Sequence, residues 1–106
     1  MDKKAVIEIV DRFRRKIEEQ GIKPQKVILY GSHATGMPAA ESDIDVVIIS
    51  EDFGGKSFWE RVDVLSEAIY DLSAPIEAVA MSPDEWNRGE SFVIDFAKDG
   101  EVLYSA

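Results

Sequence analysis

Over residues 2–20 the apolar side chains Val6, Ile9, Val10, Phe13 and Ile17 recur at helical spacing, with charged residues between them. This spacing predicts an amphipathic helix, with Gly21 just past its end. After Pro24 the pattern changes to the β-rich apolar run Lys26-Val27-Ile28-Leu29-Tyr30, which predicts a buried strand stopping at Gly31-Ser32. Residues 33–42 contain Gly36, Pro38 and small side chains, so a short turn or helix and then a loop are expected there. A second strand is predicted over residues 43–49, before the run Ser50-Glu51-Asp52-Phe53-Gly54-Gly55 breaks the pattern.

Ser57 and Glu60 have capping-box spacing, and Phe58, Val62, Leu65, Ile69 and Leu72 follow at helical intervals. Pro75 restarts an extended segment, which predicts a third strand over residues 76–81. Ser82-Pro83-Asp84-Glu85 is a second capping box with proline at the first helical position. Residues 91–98 carry Phe92, Val93, Phe96 and Ala97 at helical spacing, and Asp99-Gly100 turns the chain into Val102-Leu103-Tyr104, a candidate terminal strand. The expected order is αβ(α)βαβα, an α/β (α+β) fold with a small mixed β-sheet packed by helices. With no repeat, linker or low-complexity tract, residues 1–106 are expected to form one domain.

Charge narrows the function. The 12 basic and 21 acidic residues leave a net charge of -9, which repels phosphate backbones and argues against generic nucleic-acid binding. The absence of cysteine excludes disulfides, thiolate zinc sites and cysteine nucleophiles, and a single histidine, His33, excludes multi-histidine metal sites. Apolar runs such as Val46-Val47-Ile48-Ile49 fall far short of the ~20 residues a membrane span needs. The amino-terminal charges lack the pattern of a signal peptide, so a cytoplasmic protein without a membrane partner is expected. Arg12, Arg14, Arg15 and Lys16 read as the solvated face of the first helix rather than as a phosphate patch. Trp59, Trp86, Phe53 and Phe92 stand at positions that favour the core over a partner surface or a base-stacking wall.

The candidate chemistry lies at the ends of the first two strands. Strand side chains alternate faces, so Asp43 and Asp45 share one patch while Ile44 points to the opposite layer. Two carboxylates this close repel unless a cation neutralises them, and a hard oxygen donor set suits magnesium or manganese. Glu77, near the start of the third strand, is the candidate third carboxylate; exposure at a strand end is the bland alternative. At Gly31-Ser32 a glycine lets backbone N–H groups approach a phosphate and a serine adds a hydroxyl. Residues 33–42 then suffice to fold the second strand back beside the first. Such a site suits nucleotidyl transfer from ATP or another nucleoside triphosphate, with the metal-binding carboxylates facing the triphosphate. Glu77 is also a candidate general base.

The segments Leu29-Tyr30-Gly31-Ser32 and Ser42-Asp43-Ile44-Asp45-Val46 resemble the signature of the DNA polymerase beta-like nucleotidyltransferase superfamily, above all its minimal branch, the MNT proteins. The resemblance runs from the first helix to the helix after the third strand. It implies that Asp43 and Asp45 bind magnesium, that Glu77 completes the acidic triad, and that Gly31 and Ser32 contact the nucleotide phosphates. Many minimal members are similar to antitoxins that bind a HEPN-family ribonuclease toxin and in some systems transfer AMP to its tyrosine. The resemblance therefore implies a HEPN partner and a protein adenylyltransferase, with a non-catalytic antitoxin that covers the toxin as the alternative. Homo-oligomerisation is a further way to complete a substrate surface. This chain departs from the family in carrying His33 and Thr35 where basic residues are usual, and Glu77 where aspartate is common. His33 reads either as a phosphate contact or as a partly exposed turn residue.

Overall fold

The computed structural model describes residues 1–36 and 42–106; the predicted loop containing Pro38 lies outside the described residues. Helix α1 (Lys3–Glu19) starts at Asp2, whose side chain accepts a hydrogen bond from the Ala5 N–H, and buries Val6, Val10, Phe13 and Ile17. Strand β1 (Lys26–Tyr30) leads into the one-turn helix α2 (Ser32–Thr35), and β2 (Ile44–Ile49) follows. A 3-10 turn (Glu51–Phe53) precedes α3 (Phe58–Tyr70), β3 (Ile76–Met81), α4 (Pro83–Arg88), α5 (Phe92–Ala97) and β4 (Glu101–Ser105). The predicted terminal strand is thus present. Both predicted capping boxes form, with Ser57 and Glu60 opening α3 and Ser82 and Glu85 opening α4.

The strands form one mixed sheet in the order β3-β2-β1-β4. β1 runs antiparallel to β2 and β4, whereas β2 and β3 are parallel because α3 carries the chain back across. Alternation along the strands divides the core in two. Val27, Leu29, Ile44, Val46 and Ile48 face α1 and α3, while Ile28, Val47, Ile49 and Met81 face α5 and Trp86 of α4. Asp43, Asp45, Tyr30 and Glu77 continue the second of these faces beyond its apolar part.

In the basic cluster of α1, Arg12 and Arg15 lie at the solvated face as expected, whereas the Arg14 side chain is largely covered. Arg14 pairs with Asp11 and Glu18, Arg15 with Asp11, and Lys16 with Asp71. The aromatic expectation needs correction. Phe53 is fully buried and Trp86 packs on the α5-side core, but Trp59 and Phe92 are 72% and 73% exposed. Phe58, expected on the inner stripe of α3, is exposed as well, because the first turn of the helix lies where the sheet ends at its edge strand β3. Among the described residues no helix is long and apolar enough to cross a membrane.

Candidate active site

The sheet register brings together the acids that lie far apart in the chain. Asp45 is paired with Glu77 on the parallel neighbour β3, and with Tyr30 on the antiparallel neighbour β1. In-register residues share a face, and Asp43 lies two residues before Asp45 on that face. All three acids sit at the end of β2 where β1 turns out of the sheet.

Their electrostatics show how close they are. Asp45 is held above the ordinary carboxylate range, first by burial, which a hydrogen bond with Glu77 partly opposes, and then by the charge of Asp43, with a smaller opposing effect of His33. Glu77 is raised first by the negative charge of Asp43, then by desolvation and by Asp45, with which it shares a hydrogen bond. Tyr30 is half-buried, and burial followed by the charges of Asp45 and Glu77 pushes its hydroxyl up. Among the described residues none of the ion pairs involves these acids. The cluster is left negative and faces solvent at Asp43 and Glu77.

Gly31 joins the turn to the acids. Its backbone, at φ 74 and ψ -158, lies in a region essentially restricted to glycine. A Cβ at this position would run into Oδ2 of Asp45, so the space that a side chain would fill is taken by the carboxylate itself. Glycine here serves a tight packing of the turn against Asp45, a reason that sequence spacing alone does not reveal. Ser32 opens α2 directly beyond it, and the carbonyl of Gly31 accepts hydrogen bonds from the Ala34 and Thr35 N–H groups.

His33 is not the partly exposed turn residue that was one of its two expected parts. It is buried, and its Nε2 donates to the Ser42 carbonyl oxygen at 3.0 Å. The imidazole therefore ties the turn after β1 to the residue that precedes Asp43. Thr35 donates its hydroxyl to the Ser32 carbonyl, within the same turn. Tyr104 lies on β4 with the Arg14 guanidinium 4.3 Å above its ring. Tyr30 is the site neighbour that sequence spacing did not select. The signal for it was the antiparallel return of β2, which sets the residue before Gly31 opposite Asp45.

Among the described residues no group of three or more acidic or histidine side chains converges as a ready-made cation cage. That agrees with the way magnesium is usually held, by one or two carboxylates together with substrate phosphates rather than by an all-protein shell. The donor chemistry fits: oxygen-only, crowded and, among the described residues, in no ion pair. Such an arrangement can hold a divalent cation against a triphosphate and can accept a proton.

Mixed sheet, glycine turn and paired strand carboxylates define a nucleotidyltransferase. Residues 8–102 match the family described as nucleotidyltransferase domain, and the chain belongs to that family, in its minimal form. It is an enzyme of the nucleotidyl-transferring class. Over 105 residues it is 30% identical to the putative protein adenylyltransferase of Methanocaldococcus jannaschii, covering 97% of this chain and 98% of that protein. The crystal structure of a putative nucleotidyltransferase from Sulfolobus solfataricus shares the fold, with a TM-score of 0.74 at 15% identity, covering 97% of this chain and 83% of that one.

Proposed function

We propose that this protein transfers AMP from ATP to a protein hydroxyl in a metal-dependent reaction, with Asp43, Asp45 and Glu77 as its working carboxylates and Gly31 and Ser32 at the triphosphate. The observation that carries this function is the register of Asp45 with Glu77 on parallel strands, directly against the Gly31 turn. Magnesium or manganese held by Asp43 and Asp45 together with the phosphates, with Glu77 completing the acidic patch, would supply positive charge to the phosphoryl oxygens. The turn at Gly31 and the Ser32 hydroxyl position the triphosphate, and His33 keeps that turn at a fixed distance from Asp43 through Ser42. The acceptor oxygen forms a bond to the α-phosphorus as the bond to pyrophosphate breaks, and the hydroxyl proton passes to a carboxylate. Glu77 suits that role because it stands exposed beside Asp45, in register on the neighbouring strand.

The acceptor we infer is a tyrosine of a HEPN-family toxin, for which this protein serves as the antitoxin in the cytoplasm. Two things support a protein acceptor: the name of the M. jannaschii relative as a protein adenylyltransferase, and a net charge of -9 that complements a basic RNA-binding cleft. Incubation with ATP labelled at the α-phosphate, magnesium and the co-encoded partner is expected to label the partner. Asp43→Asn, Asp45→Asn and chelation should each abolish the label. A second function, a non-catalytic antitoxin, is favoured by His33 standing where basic residues are usual in the family and engaging its Nε2 with the Ser42 carbonyl. In that case the partner stays unlabelled, and the aspartate variants still neutralise it.

A further inference from the structure

The edge of the sheet next to the acids turns backbone groups outward. β3 is an outer strand, with β2 on one side only. The Ala80 carbonyl accepts a hydrogen bond from Arg61 Nη1, so it points away from β2, whereas the Met81 carbonyl accepts from the Ser50 N–H on the β2 side. Alternation along the strand then turns the N–H and C=O of Ala78 outward as well. Beside them a groove of about 390 Å³ lies between β3 and α3, with apolar walls at Phe58, Val62, Leu65, Ala78 and Ala80 and with Lys56 and the paired Arg61 and Glu85 also lining it. Phe58, 68% exposed and in edge-to-face contact with the 72% exposed Trp59, forms its outer lip. The small Ala78 and Ala80 leave room for a guest side chain.

We infer that this edge is the acceptor-binding groove, and that its occupant is an extended peptide segment of the acceptor protein, with an apolar anchor residue, added to β3 as a fifth strand. The inference rests on the transfer function proposed above and specifies how its acceptor is held. Three observations select this occupant. Outward backbone groups recognise another backbone, which favours an extended peptide over a helix or a small molecule. A guest residue opposite Ala78 falls on the α3 side, into the groove, so its chain neighbours fall on the opposite face, where Glu77 stands. An apolar anchor next to a hydroxyl residue is therefore the pattern expected to place that hydroxyl at the carboxylates. The apolar side chains of Phe58, Val62 and Leu65 in the groove favour an apolar residue as the anchor. There, the guest hydroxyl oxygen bonds to the α-phosphorus of ATP, pyrophosphate departs, and the proton passes to a site carboxylate.

The probe is a fluorescein-labelled heptapeptide, Lys-Ser-Leu-Tyr-Leu-Ser-Lys, titrated by anisotropy without ATP. Two further forms carry N-methyl groups on alternate backbone nitrogens, in opposite phases. Strand addition predicts that one phase weakens binding at least tenfold and the other leaves it unchanged, because only one set of N–H groups faces β3. Phe58→Ser, at an exposed position, should weaken the unmethylated peptide severalfold. Equal binding of both methylated forms, or no binding of the parent peptide, overturns the inference. So does a β3-mediated dimer in sedimentation equilibrium that the peptide fails to dissociate, since the occupant is then a second copy of this chain. Because binding is read without nucleotide, phase-selective binding with no label transferred from ATP upholds the groove and counts against the catalytic function instead.

Discussion

Gly31 and Asp45 are the pair on which the site depends, one because it has no side chain and the other because it occupies the space so left. Gly31→Ala should cost about 1–3 kcal/mol from backbone strain alone. Chemical denaturation measures that cost, and a matching loss of manganese affinity would show that Asp45 has been displaced. The raised acids set a pH dependence. Asp45 and Glu77 both hold their protons to higher pH in the folded chain than in the unfolded one. Their contribution to stability is therefore whole below the ordinary carboxyl range and is lost as pH rises through the raised folded values. Without metal, the melting temperature is expected to fall over that window, Asp45→Asn to flatten the fall, and magnesium to reverse it. A metal-free melting curve insensitive to Asp45→Asn would contradict the electrostatics. For His33, the hydrogen bond to Ser42 is worth about 1 kcal/mol. His33→Leu should lose it in thermal denaturation and also weaken nucleotide binding, and His33→Gln, which retains a donor, should recover part of both.

At the scale of elements, what could be read in the chain was what local chemistry decides. β1 and β3 keep their predicted limits because an apolar run ends at Gly31 in one case and lies between Pro75 and Ser82 in the other. The capping boxes carry their own instructions. Which side of a short helix is buried was not legible. In α5 the pair Ile94 and Ala97 forms one stripe and the pair Phe92 and Phe96 the opposite one, and either spacing reads as an apolar face. The sheet takes the smaller pair and leaves the phenylalanines exposed, in edge-to-face contact at 6.3 Å. Likewise, nothing local marked Arg61 as a junction. Its guanidinium donates to the carbonyls of Phe53, Lys56 and Ala80 and to Glu85, so that it joins the 3-10 turn, α3, β3 and α4. Arg61→Met is expected to cost about 2–3 kcal/mol in urea denaturation, because hydrogen bonds from a charged donor are lost and the shape is nearly kept. Arg61→Lys should restore little, since an ammonium cannot span that fork of acceptors.

Across the whole molecule, the acidic site is a product of topology. Asp43 and Asp45 announced themselves by spacing, but Glu77 joins them only because α3 returns the chain parallel to β2 and pairs residues 45 and 77. The same sheet order leaves β3 at the edge, next to the acids, where an acceptor can approach. A net charge of -9 adds a general repulsion to the local one, so the protein is expected to gain stability from divalent cations beyond a simple salt effect. The most direct measurement of the central claim is manganese binding followed by electron paramagnetic resonance, with a non-hydrolysable ATP analogue present. The account predicts bound manganese whose affinity rises with the analogue and falls at least tenfold in Asp43→Asn and Asp45→Asn. Manganese binding that ignores both the analogue and the two substitutions would contradict it.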